Sequence, residues 1–181
     1  GDNPPEFLLT HPVTSSRVSD ALNAADQIEF SGGKKNTINF EFVKGRLKAR
    51  YASSSPQASV RYFEQLSKES SSNENKYAYL TALHETGDFK KALMAVNELL
   101  SKYPKNLILN ITKSEIYLSN QELGKAKMQI EKVLKISPGN YPASIIKSNI
   151  LSAQNKTIQA EEIVRELLIT KNNDPHLWML L

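Results

Sequence analysis

Ala58, Ala92, Ala126 and Ala160 stand 34 residues apart. That spacing constrains the fold more than any single motif. A fixed period of this length marks a supersecondary unit that repeats along the chain and buries its apolar face only against its neighbours. Other positions keep the beat. Phe89, Leu123 and Thr157 each precede an alanine by three; Val96, Ile130 and Val164 follow by four; Leu100, Leu134 and Leu168 follow by eight; Pro104 and Pro138 follow by twelve. The units therefore run 39–72, 73–106, 107–140 and 141–174. Pro175 opens a fifth over 175–181, with Trp178 at its fourth position.

Each unit reads as two helices and a turn. The clearest is NENKYAYLTALHETGDFKKALMAVNELLSKYPKN. Gly87-Asp88 is a turn signal between two apolar-periodic runs. Leu93, Val96, Leu99 and Leu100 fall on one helical face, Ala92 admits a close neighbouring helix, and Pro104 closes the second helix. The unit from Leu107 repeats the pattern with Ile111, Tyr117, Leu123, Ile130, Val133 and Leu134, then Pro138-Gly139-Asn140. The unit from Tyr141 turns at Asn155-Lys156. The first unit is the loosest: Pro56 stands near its turn, and Ala58, Tyr62 and Leu66 hold its second helix to the pattern. Gly87, Asp88, Phe89, Ala92 and Pro104 resemble the tetratricopeptide consensus. The expected fold is all-α: a tetratricopeptide-type (TPR) α-solenoid of about four helix–turn–helix repeats, preceded by an N-terminal loop and helix. Such solenoids typically bind proteins.

Composition narrows the function. The chain has 181 residues, 40% hydrophobic, with a net charge of +4. Its lysines are spread along helices, so they read as a solvated surface and not as a nucleic-acid patch. The chain has no cysteine, which excludes disulfides and Cys-ligated zinc. No run approaches the roughly 18 apolar residues of a membrane helix. The chain opens Gly1-Asp2-Asn3 and ends Trp178-Met179-Leu180-Leu181, and is read as part of a longer protein.

Residues 1–38 precede the repeats. Pro4-Pro5 imposes an extended start. Ser15 or Ser16 caps an expected helix through Val18, Ala21, Leu22, Ala25 and Ile28, which Gly32-Gly33 ends. The stretch PPEFLLTHPVTSSRVSDALNAA resembles the segment after the catalytic domain of BepA/YfgC-like periplasmic zinc metallopeptidases, in which a tetratricopeptide domain follows the protease domain. The likeness rests on Thr10-His11-Pro12 and Arg17, flanked by Pro4-Pro5-Glu6-Phe7 and Ser19-Asp20-Ala21. It implies a periplasmic location and a parent whose HExxH protease domain lies upstream. In that parent His11 would be a regulatory zinc ligand and Arg17 an active-site-edge residue. Read alone, a His before Pro is an ordinary loop residue, and His11 has no metal partners near it in sequence.

The 181 residues carry no enzyme signature. A gluzincin needs two His four apart with Glu between them, and His84-Glu85 runs straight into the turn at Gly87. Neither a nucleophile elbow nor a phosphate loop is present. The expected working surface is the groove lined by the first helix of each unit. Its candidates are Val43, Leu47, Arg50 and Tyr51; Tyr77, Thr81, His84 and Glu85; Ile111, Glu115 and Leu118; and Ile145, Asn149 and Ser152. About half of these are expected in the inter-helix core. The mixture of apolar, aromatic and polar groups suits an extended polypeptide. With the family resemblance, the expected role is a non-catalytic, cofactor-free binding module of a zinc metallopeptidase. It would engage outer-membrane barrel assembly components or misfolded barrel proteins. The alternative is a stand-alone scaffold of a cell-envelope or secretion assembly with no protease partner.

Overall fold

The computed structural model describes residues 37–51 and 55–181. The expectations for the segment before the repeats, including those for His11 and Arg17, lie outside the described residues. Nine helices and no strand occur among the described residues: α1 Ile38–Tyr51, α2 Pro56–Glu69, α3 Asn73–Glu85, α4 Phe89–Lys102, α5 Leu107–Ser119, α6 Leu123–Ile136, α7 Tyr141–Ala153, α8 Thr157–Thr170 and α9 Pro175–Trp178. The fold is an α-solenoid of consecutive helix–turn–helix repeats. Helices α3/α4, α5/α6 and α7/α8 pack as pairs, and each second helix packs on the next first helix.

The period is visible in the hydrogen bonds that end the helices. The first helices α3, α5, α7 and α9 are capped by Ser72, Asn106, Asn140 and Asp174, which are 34 residues apart. Each side-chain oxygen accepts a backbone N–H that the helix itself cannot satisfy. The turns that follow α3, α5 and α7 also repeat. Asp88, Glu122 and Lys156 donate backbone N–H bonds to the carbonyls of Leu83, Tyr117 and Leu151, the six-to-one closure of a Schellman turn. That closure needs a left-handed residue just before the donor. Gly87 (φ 78°), Gln121 (φ 60°) and Asn155 (φ 60°) supply it.

The alanines mark where the helices of a pair meet. Ala92, Ala126 and Ala160 are buried. In the last two pairs, the buried hydroxyls of Ser114 and Ser148 donate to the carbonyls of Ala126 and Ala160, at 2.9 and 3.1 Å. The fourth alanine departs from the pattern. Helix α2 begins at Pro56, one residue later than a strict 34-residue beat from Phe89 would place it, and Pro favours the first helical position. The register shifts by one. Ser59 takes the buried place expected for Ala58, and Phe63, 1% exposed, replaces Tyr62, which faces solvent.

The core is a series of clusters, each shared between neighbouring helices, as a solenoid requires. Phe42, Tyr77, Leu80, Leu83, Val96, Leu99, Leu109 and Ile116 form the first and largest. Ala126, Ile130, Val133 and Ile150 form the next, and Ile145, Val164 and Leu177 the last. Helices α1 and α2 both pack on α3, where Ala49, Phe63 and Ala78 meet. At Gly45 the backbones of α1 and α3 come so close that a Cβ would lie 2.4 Å from the Glu74 carbonyl oxygen.

Candidate functional site

The first helices stack so that residue i of one faces residue i+35 of the next. Three hydrogen bonds follow this rule: Arg50 Nε to Glu85 Oε1 at 3.0 Å, Tyr77 Oη to Thr112 Oγ1 at 2.6 Å, and His84 Nε2 to Ser119 Oγ at 2.9 Å. A fourth set crosses two repeats. The Arg46 guanidinium donates to Tyr77 Oη at 2.9 Å, to Thr112 Oγ1 at 3.1 Å and to Glu115 Oε2 at 3.1 Å. It joins α1, α3 and α5.

All of these side chains except Tyr77 line a cavity of about 260 Å³. Helix α1 contributes Arg46 and Arg50, α3 contributes Thr81, His84 and Glu85, α5 contributes Thr112, Glu115, Leu118 and Ser119, and α7 contributes Ile146. Six residues expected in the groove are therefore brought together: Arg50, Thr81, His84, Glu85, Glu115 and Leu118. The others lie elsewhere. Tyr77, Ile111 and Ile145 turn into the core clusters, and only the Tyr77 hydroxyl reaches the groove network. Val43, Leu47 and Tyr51 are exposed on α1 and, with Asn149 and Ser152, lie outside the cavity lining. Arg46, Thr112, Ser119 and Ile146 were missed from sequence. Thr112 and Ile146 are 34 apart, so the row one position beyond Ile111 and Ile145 carried the signal.

The cavity is close to electrically neutral. Arg46 pairs with Glu115, and Arg50 with Glu85. Burial is the largest influence on the Arg46 guanidinium and pulls its pKa down. The interactions and hydrogen bonds with Tyr77 and with the Glu115 carboxylate outweigh it and leave the pKa above the ordinary value. Burial also pushes the Tyr77 phenol up, so the hydroxyl stays protonated and able to bond. The His84 imidazole is held below its ordinary value, first by burial and secondarily by Arg46, against the opposing pull of Glu115 and Glu85.

This arrangement presents hydrogen-bond donors and acceptors beside Leu118 and Ile146. Together they suit a polypeptide main chain with an apolar side chain. His84 and Ser119 lie at the distance of a base and a nucleophile, but among the described residues no carboxylate holds the other ring nitrogen as a triad requires. Among those residues no group of three His, Cys, Asp or Glu side chains is placed to hold a metal ion, and no helix is long and apolar enough to cross a membrane.

No protein-family model matches the chain. It is 25% identical over 183 residues to a beta-barrel assembly-enhancing protease of Yersinia pestis. It is 24% identical over 185 residues to the protein of the same name from Escherichia coli K12. Each comparison covers 98% of this chain and 37% of the relative. The chain thus spans little more than a third of the length of the curated relatives it matches.

Proposed function

We propose that the chain is a tetratricopeptide module, the polypeptide-binding part of a beta-barrel assembly-enhancing zinc metallopeptidase, and that it does no chemistry itself. The observation that carries this reading is the neutral, mixed-polarity cavity built by the first helices of successive repeats. Similarity over 98% of the chain to proteases named for barrel assembly supports the protease context. Its occupants would be extended segments of misfolded barrel proteins or of barrel-assembly components, in the periplasm. On this reading the zinc and its catalytic HExxH ligands belong to the part of the parent that the chain does not span, and His11 approaches that metal from this chain as a regulatory ligand, with Arg17 at the edge of the active site.

Photo-crosslinking tests the binding role. A photoreactive phenylalanine analogue at Leu118 is expected to capture an unfolded outer-membrane barrel protein, and the same analogue at exposed Ile158 on α8 is not. Equal capture from both positions would remove the cavity from the account.

A further inference from the structure

A second cavity is larger than the one between the first helices. A cleft of about 1040 Å³ lies between α2 and α4, over the ring of Tyr79 from α3. Its floor is apolar, made by Tyr79, Met94 and Ala95, and Met94 is 65% exposed. Its rim carries Lys68, Lys76, Lys90 and Lys91 against Asp88 and Glu98, an excess of positive charge. The repeat shows why the cleft is open here. One repeat on, Gln129 replaces Ala95, is buried, and donates its amide to Asn110 Oδ1 at 2.6 Å. Ala95 has no such reach, and Lys76, which stands at the position of Asn110, pairs instead with Glu98 at 2.6 Å.

We propose that this cleft docks an acidic polypeptide segment of a partner protein, anchored by one bulky apolar side chain. Charge complementarity selects the occupant. Lys90 makes no ion pair among the described residues. Lys68 and Lys91 hold only exposed partners within one turn of their own helices, Glu64 and Asp88. Solvent screens such surface pairs, so they are weak and a ligand carboxylate can replace them. A flexible thioether beside an aromatic ring adapts to a side chain of varied shape, and an anchor in an apolar pocket with a charged rim is the arrangement that concentrates binding energy. The site is separate from the cavity of the first helices and stands whether or not that cavity binds polypeptide.

The test is fluorescence anisotropy on the whole 181-residue chain with a labelled peptide of Glu and Asp residues around one Trp. The expected result is saturable binding that weakens with salt. Replacing the Trp by Ser, or the acidic residues by Lys, should reduce affinity at least fivefold. Ala95→Gln, which copies the next repeat, and Lys90→Glu should each do the same, while Ser119→Arg in the other cavity leaves it unchanged. Lys90→Glu alters an exposed side chain with no ion pair among the described residues, so it decides the matter if Ala95→Gln perturbs folding. Equal binding of the Ser or Lys peptides overturns the proposal. So does unchanged affinity of Lys90→Glu, or binding of anionic lipid vesicles without binding of the acidic peptide.

Discussion

Arg46 and Glu115 are 69 positions apart in the chain and 3.1 Å apart in space. The contact spans two repeats and passes over Tyr77 and Thr112, so one guanidinium ties α1 to α5. In a solenoid, where stability is largely a sum of nearest-neighbour terms, such a bond adds direct coupling between units two apart. Both side chains are less than a third exposed, so solvent screens the pair incompletely. A double-mutant cycle with Arg46→Met and Glu115→Gln, read by chemical denaturation, should return a coupling of about 1–2 kcal/mol. A coupling near zero would mean that the pair adds nothing to the packing and the other polar contacts that hold α1.

Packing at α1 has its own test. Alanine normally favours a helix over glycine by about 1 kcal/mol. At Gly45 the added methyl would lie 2.4 Å from a backbone oxygen of α3, which cannot rotate away. The clash outweighs propensity. Gly45→Ala should destabilise by roughly 1–3 kcal/mol, measured as a lower denaturation midpoint. Stabilisation would show that the two helices separate freely.

The turn after α5 offers a change in the opposite direction. Gln121 occupies the left-handed position that Gly87 fills one repeat earlier, at a cost of about 1–2 kcal/mol for a side-chain-bearing residue. Gln121→Gly should therefore raise stability by roughly 0.5–1 kcal/mol after its extra unfolded-state entropy is deducted. Thermal denaturation of the two proteins decides it.

His84 predicts a pH dependence. Its folded pKa lies below the ordinary value, with burial the leading cause. The native state therefore binds the proton less readily than the unfolded chain. Stability is full above the unfolded value of about 6.5 and falls as pH drops through that value towards the folded one. His84→Gln should flatten this part of the stability profile, and an unchanged slope would place the titrating group elsewhere.

The architecture was legible because the period and its punctuation repeat: the Gly87-Asp88 and Asn155-Lys156 turns, and Pro104 and Pro138, each fall at one place in the unit. The caps Ser72, Asn106, Asn140 and Asp174 and the left-handed Gln121 that keep the same beat emerged only in the structure. Local exceptions were not. Pro56 starts α2 one residue late, so the alanine rule failed at Ala58 and the buried side chains are Ser59 and Phe63. In the groove, one residue is about 100° of helix turn. The row of Tyr77, Ile111 and Ile145 therefore faces the core, while the adjacent Thr112 lines the cavity and Ile146 reaches both the core and the cavity. Arg46 broke the repeat itself, standing where later units have Leu80, Ser114 and Ser148, so no period pointed to it.

The cavity built by the first helices is the centre of the functional account, and one titration addresses it directly. Labelled peptides copied from the strands of an outer-membrane barrel protein are added to the wild-type chain, to Ser119→Arg, which fills the cavity from an exposed position, and to Ile158→Arg on α8. The account predicts binding that Ser119→Arg weakens by about tenfold, or roughly 1.4 kcal/mol, and that Ile158→Arg leaves intact. Equal affinity for all three proteins, or a loss only in Ile158→Arg, would contradict it.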